Sequence, residues 1–186
     1  MAVRPDRLAV QKCGRGQAPL VRLEIARARC LRDVGGPVMN SPEAAAQFVI
    51  DRWFCGGPVG HEIFVALYMN SRRKVLAATQ IARGGQTGVI VDVRKTLVGA
   101  LLVGATGLFV AHNHPGGDVQ PSAADFRLTE RIIREAKPLT LKVFDHLVIV
   151  PGGSPMIFWS MREHDNPQGL GGYDEGRKNI CLPSTR

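Results

Sequence analysis

The residues able to do chemistry lie in one stretch, Leu108 to Arg131, which reads LFVAHNHPGGDVQPSAADFRLTER. His112 and His114 stand two residues apart at the end of a short apolar run. On an extended strand, residues i and i+2 face the same side, so both imidazoles aim at one point while Asn113 points away. A Pro/Gly-rich loop, Pro115 to Pro121, is long enough to turn the chain back. Ser122 then opens a helical pattern that carries Asp125 in its first turn. Two imidazole nitrogens and one carboxylate oxygen are a ligand set for a tetrahedral Zn²⁺ that leaves one position open for water, and an open position means catalysis rather than scaffolding.

Simpler readings exist for each part. Ser122-x-x-Asp125 before an apolar-periodic run is close to a capping box, which taken alone accounts for both residues. A His-x-His pair on a surface strand often binds nothing. The joint spacing favours the metal: seven residues separate His114 from Ser122 and two separate Ser122 from Asp125, distributed over strand, loop and helix start.

His112-Asn113-His114-Pro115 with Ser122 and Asp125 resembles the signature of the JAMM (MPN or JAB) zinc metalloprotease superfamily. Leu128-Thr129-Glu130-Arg131 and Phe144-Asp145-His146-Leu147-Val148-Ile149 resemble more narrowly its bacterial RadC-like branch. The similarity runs from about Ser41 to about Glu163. It implies a cytidine-deaminase-like JAMM/MPN core, and a general base at Glu62 in His61-Glu62-Ile63-Phe64-Val65-Ala66-Leu67. It also implies that Ser122 donates to a developing oxyanion. By its own surroundings Glu62 reads as a hairpin-edge charge, although a carboxylate on an apolar strand is costly without a partner. Two departures stand beside the ligands: Met69-Asn70 where the branch usually has Leu-Asp, and Gly116-Gly117 where Ser-Gly is usual.

The resulting expectation is a zinc-dependent hydrolase of the metallopeptidase type, in which metal-activated water attacks an amide or isopeptide bond of a peptide substrate. Two other classes fit the same resemblance. One is a DNA-associated accessory protein of the RadC kind, serving repair or a mobile element; the other is a noncatalytic MPN-type scaffold. The short arm ahead of the domain shows no clear helix-hairpin-helix pair, which weighs against repair.

These residues need elements to position them. Ser41-Pro42-Glu43 starts a helix that runs to about Phe54, with Ala45, Phe48, Val49 and Arg52/Trp53 facing a sheet. Glu62 to Met69 and Lys74 to Ala82 read as a hairpin turning at Asn70 to Arg73. Val89 to Val93 is a short strand candidate. Arg94 to Ala105 has helical spacing with Leu97, Ala100, Leu101 and Gly104 inward, and Gly99 and Gly104 either weaken it or permit close packing. Leu108 to His112 is the ligand strand, Ala123 to Ala136 a helix stopped by Pro138, Leu139 to Val150 a long strand and Met156 to Ser160 a last one. The succession predicts an α/β fold, a mixed sheet with helices packed on it. Other polar residues take ordinary roles in this reading. Asp145-His146 hydrogen-bonds within the sheet rather than orienting a ligand, His61 is solvated, His164 has no constellation around it, Asp118 caps a turn, and Arg94 and Lys95 are solvated at a helix start.

The 186 residues, 45% hydrophobic, suffice for one good core. The expected organisation is a basic arm over residues 1–40, the domain over 41–163 and a Gly-rich tail over 164–186. Of the net charge of +8, residues 1–32 carry +6, from eight Lys/Arg against Asp6 and Glu24. Such an arm attracts phosphate nonspecifically, so nucleic-acid contact is an expected property of residues 1–32, within which residues 20–31 have weak helical spacing. Four scattered cysteines without a C-x-x-C argue against a disulfide framework or a thiolate zinc finger. No apolar run approaches 18 residues and no signal-peptide h-region is present, so a cytoplasmic protein without a membrane partner is expected.

Overall fold

A computed structural model describes residues 36–85, 88–153 and 156–164. Strands β1 (Ile63–Met69), β2 (Val75–Arg83), β3 (Gly107–Asn113), β4 (Lys142–Val150) and β5 (Ile157–Ser160) form one five-stranded sheet in the order β2-β1-β3-β4-β5. All neighbours run antiparallel except β3 and β4. A parallel pair needs a long crossover, and here the crossover carries helix α3 (Ala123–Ala136). Helix α1 (Pro42–Trp53) precedes the sheet, α2 (Val93–Leu102) joins β2 to β3, and a short α4 (Met161–His164) follows β5. The mixed sheet with packed helices is the α/β fold that the sequence predicts.

Alternation along the strands divides the core into two layers. Phe64, Ala66, Tyr68, Leu108 and Val110 pack against Val93, Leu97 and Ala100 of α2 and Ile132 and Ala136 of α3. Val65, Leu67, Met69, Phe109 and Ala111 face Ala45, Ala46 and Val49 of α1. Every residue of β1 and of β3 is buried, which is why both read as unbroken apolar runs rather than alternating ones.

The helix starts follow their caps. Ser41 Oγ accepts from Ala44 N at 3.3 Å with Pro42 in the first turn, and Asp92 Oδ1 accepts from Arg94 N at 3.0 Å. Ahead of α1, Met39 is buried and its N–H bonds Arg73 O at 2.9 Å, so residues 37–39 pack against the hairpin turn.

Several expectations need correction. Residues 89–92 form no strand: β2 pairs only with β1, so this segment has no partner strand, and Ile90 is 96% exposed. Helix α2 ends at Leu102 rather than Ala105, because Gly104 takes a left-handed φ of 66° after the last turn. Leu101 is 51% exposed and Gly104 is exposed, so neither faces inward. Strand β4 begins at Lys142, not Leu139, since Lys137–Leu139 form a 3-10 turn and Thr140 is left-handed at φ 54°. His61 is half-buried with its Nδ1 3.4 Å from Arg83 Nη2. His164 ends α4 with its ring stacked on Trp159 at 4.0 Å and its Nδ1 3.0 Å from Ser160 O. The helical spacing of residues 20–31 lies outside the described residues.

One irregularity governs the site. Between Leu108 and Phe109 the β3–β4 register slips by one: Leu108 faces Val143, Phe109 faces Asp145, and Phe144 is left over. Such a bulge reverses the alternation beyond it. Val143 and Val148 thus lie in the α2/α3 layer while Phe144, Leu147 and Ile149 lie in the α1 layer. His146, two residues before Val148, faces α3.

Gly99 resolves one ambiguity of the sequence, since a Cβ there would stand 2.2 Å from Tyr68 Oη, on a side chain only 2% exposed. Gly99 is present for close packing of α2 on β1. Gly99→Ala should therefore destabilise by about 1–3 kcal/mol despite the better helix propensity of alanine. A thermal melt showing a raised Tm would contradict this packing argument.

Candidate metal centre

The site begins at the C-terminal end of β3, where His112 is paired on one side with Phe64 of β1 and on the other with Val148 of β4. Its ring is enclosed, at 1% exposure, and stacks on Phe64 with centroids 6.1 Å apart. His114, just beyond the strand, is half-buried and turns back so that its Nε2 lies 3.0 Å from that of His112. The Nδ1 of His114 donates to the backbone carbonyl of Asp118 at 2.8 Å, and Asp118 Oδ1 in turn accepts from Gln120 N at 2.9 Å. The loop thus turns as its sequence suggests and also fixes one imidazole.

Asp125 arrives from the first turn of α3. The capping box is complete: Ser122 Oγ accepts from Asp125 N at 3.3 Å, and Asp125 Oδ2 accepts from Ser122 N at 2.7 Å. The Ser122 hydroxyl proton goes to the same carboxylate oxygen at 2.6 Å. Oδ1 remains directed at His112 Nε2, 3.3 Å away, while Oδ2 is 3.6 Å from His114 Nε2. Capping and ligand geometry, alternatives in the sequence, coexist in one side chain, and the cap aims the carboxylate. Burial opposes its charge, but the imidazoles of His112 and His114 and the Ser122 hydroxyl outweigh it and hold the carboxyl well below the usual range. Asp125 is an anion.

Glu62 immediately precedes β1 and is 8% exposed. Its backbone is held on one side by Gly84 and Gly85, with Glu62 N donating to Gly85 O at 3.0 Å and Gly84 N donating to Glu62 O at 2.8 Å. On the other side Asn113 straddles it: Oδ1 accepts from Ile63 N at 2.8 Å, and Nδ2 donates to His61 O at 3.1 Å. Asn113 does point away from the histidines, but it clamps the backbone that presents Glu62. Burial pushes the Glu62 carboxyl above its ordinary pKa, opposed by His112 and His114 and reinforced by the charge of Asp125. Glu62, His114, Ser122 and Asp125 line one cleft of about 330 Å³, closed on another side by Gly88 and Val89.

Behind the candidate ligands stands a residue that sequence reasoning leaves out. His146 of β4 is fully buried, with its Nε2 2.8 Å from His112 Nδ1 and its Nδ1 in contact with Thr129 Oγ1. Burial keeps this imidazole neutral, lowering its pKa well below the ordinary value, with His112 adding to the effect. Its neighbour Asp145 faces the other way and joins β4 to α4, accepting from Ser160 Oγ at 2.6 Å, His146 N at 2.7 Å and Arg162 N at 3.1 Å. Asp145 therefore follows the within-sheet role read from the sequence, whereas His146 does not.

The donor set fits a divalent cation. One ligand atom from each of His112, His114 and Asp125 lies within 4.8 Å of the others, and among the described residues no second group of three such side chains converges in this way. The set combines two imidazoles with one anionic oxygen, suited to a borderline cation, on elements that hold each group in place. Arg94 and Lys95 are exposed at the start of α2, as expected, and no helix among the described residues is long and apolar enough to cross a membrane.

Comparison with known proteins agrees with this architecture. The family model described as RadC-like JAB domain matches residues 39–166. A UPF0758 protein of Delftia acidovorans is 32% identical over 147 residues, 79% of this chain and 63% of the relative. A UPF0758 protein of Flavobacterium johnsoniae is 43% identical over 93 residues, 50% of this chain and 41% of the relative. One from Paraburkholderia xenovorans is 39% identical over 112 residues, 60% and 43% respectively. The chain thus spans between 41% and 63% of the length of these curated relatives. With the match covering most of the chain, and with a mixed sheet that brings His112, His114 and Asp125 together, the protein belongs to the RadC-like JAB domain family.

Proposed function

We propose that the chain is a zinc-dependent hydrolase of the JAMM type that cleaves an amide or isopeptide bond. The observation that carries this reading is that the buried carboxylate of Glu62 shares one cleft with His114 and Asp125, two of the three converging metal-ligand side chains, with His112 enclosed behind them. His112, His114 and Asp125 would hold the ion. When bound, Zn²⁺ polarises a carbonyl and acidifies water.

The chain's own residues divide the remaining work. Glu62 accepts the proton of the attacking water and returns it to the leaving nitrogen, since a carboxyl whose proton affinity is raised by burial is better matched to proton transfer near neutrality. Asn113 and the Gly84-Gly85 turn keep that carboxylate facing the ligands. Ser122, exposed at the rim of the cleft, is the group we assign to the developing oxyanion, and it serves there only by releasing Asp125 Oδ2. Its capping role continues through the lone pair that accepts from Asp125 N.

The basic residues 1–32 support a separate proposal, a salt-sensitive nucleic-acid contact independent of the cleft. The proposed setting for both activities is the cytoplasm.

Four outcomes follow from these assignments. Purified protein should hold close to one zinc per chain, and His114→Ala should lose it with a lowered Tm; elemental analysis and thermal melts measure both. Wild type that stays folded after chelation and dialysis yet fails to regain zinc would contradict the metal assignment. Glu62→Gln should keep zinc and Tm while hydrolysis of a peptide or isopeptide library substrate falls by about 10² or more. Full turnover in that variant would remove Glu62 from the mechanism, and lost zinc would make it a ligand. Ser122→Ala should lose turnover with zinc retained; loss of only about 0.5–2 kcal/mol of stability, with turnover intact, would leave the residue a cap alone. Deleting residues 1–32 should abolish DNA binding and leave zinc in place. DNA binding that survives the deletion, or is indifferent to salt, would contradict the role given to the arm.

A further inference from the structure

We propose that His146 and Thr129 form a positioning relay behind the candidate metal centre that fixes the ring tautomer of His112 and ties it to Asp125. The inference rests on the metal reading above and extends it to two residues that touch no ion.

The backbone carbonyl of Asp125 can only accept, and Thr129 Oγ1 lies 2.7 Å from it, so the threonine hydroxyl donates there. The Met161 sulfur, 3.2 Å from the same hydroxyl, is a weaker acceptor. With its one proton committed, Thr129 Oγ1 meets His146 Nδ1 as an acceptor, and His146 carries its hydrogen on Nδ1. A neutral imidazole has one N–H, so His146 Nε2 is bare and accepts from His112 Nδ1 at 2.8 Å. His112 Nε2 is then bare as well. His114 reaches the same state independently, because its Nδ1 donates to the Asp118 carbonyl.

The two bare Nε2 atoms face each other at 3.0 Å, with Asp125 Oδ1 3.3 Å from one of them. Two lone pairs and a carboxylate pointed at one another repel unless a proton or a metal cation joins them. A ligand histidine ordinarily passes its second N–H to a carbonyl or carboxylate, which cannot donate and therefore settles the tautomer at once. His112 passes it to another imidazole, which could hold either tautomer, and the decision moves one step back to Thr129. Thr129 lies one helical turn beyond Asp125 on α3, so the residue that settles His112 is anchored on the element that delivers the carboxylate. The contacts run from β3 through β4 to α3. Thr129 and His146 are fully buried, and Phe64 covers both rings, stacked on His112 and edge-on to His146 at 5.5 Å.

The test begins with zinc-free full-length protein. Imidazole ¹⁵N chemical shifts should report His112 as the Nδ1–H tautomer, and finding Nε2–H would overturn the relay. Zinc affinity measured against a competing chelator should fall roughly 10- to 100-fold in His146→Leu. His146→Gln, which offers an amide oxygen near the position of Nε2, should recover most of it. Thr129→Val keeps the volume and removes the hydroxyl; it should mix the His112 tautomers and weaken zinc binding, with Thr129→Ser restoring both. If His146→Leu fails to fold, the Thr129 pair and the wild-type tautomer carry the test. A lowered Tm with unchanged zinc affinity and tautomer would make these residues purely structural and overturn the proposal. Wild type that shows the Nδ1–H tautomer yet takes up no zinc would contradict the metal reading while supporting the relay.

Discussion

The site depends on the burial of β3 between two hydrogen-bonded neighbours. Its backbone is laddered to β1 on one side and β4 on the other as far as His112 and Asn113. Neither residue can rotate its backbone without breaking bonds in a water-free interior, where unpaired peptide groups are costly. Alternation then sends His112 toward α3 and Asn113 toward the start of β1. One strand end thereby fixes an imidazole and the backbone flanking Glu62 together. The other two candidate ligands reach that fixed point by local means, His114 through the Asp118 carbonyl and Asp125 through its capping box.

Two carboxyl groups on this cleft sit in environments that move them in opposite directions. Asp125 accepts from the Ser122 backbone and hydroxyl and faces two imidazoles, which keeps it ionised. Glu62 is buried without comparable donors among the described residues, and its proton affinity rises. A pair separated in this way suits a division between a group that stays charged and a group that exchanges a proton. The assignment of ligand to Asp125 and base to Glu62 draws on that contrast.

Much of this arrangement was legible in residue types and spacing. The caps at Ser41 and Ser122 placed α1 and α3, and the His-x-His spacing with Ser122 and Asp125 pointed to the three side chains that converge, because these signals are local and act within a few residues. Glu62 was different: nothing in its own neighbourhood distinguishes it from a hairpin-edge charge, and only the family resemblance singled it out. From the sequence, Asp145-His146 reads as a pair that hydrogen-bonds within the sheet, because nothing local shows which face His146 takes. The slip at Phe144 that decides the face depends on pairing with Leu108 and Phe109, a long-range fact. Residues 89–92 failed for a related reason, since β propensity produces a strand only where a partner exists. Helical spacing puts Leu101 inward, but α2 covers the sheet with the face carrying Val93, Leu97 and Ala100. Alternation points Asn113 away from the histidines, and its clamp on the backbone around Glu62 follows only from the β1–β3 register.

The proposed function requires His112, His114 and Asp125 to hold one zinc beside the cleft that Glu62 lines. The most direct test is anomalous diffraction at the zinc edge from crystals of the purified protein. A single strong peak is expected at about 2.0–2.2 Å from one ring nitrogen of each histidine and from an oxygen of Asp125. Its fourth position should open toward Glu62. A zinc-replete crystal with no peak there, or with the position closed by a fourth protein ligand, would contradict it.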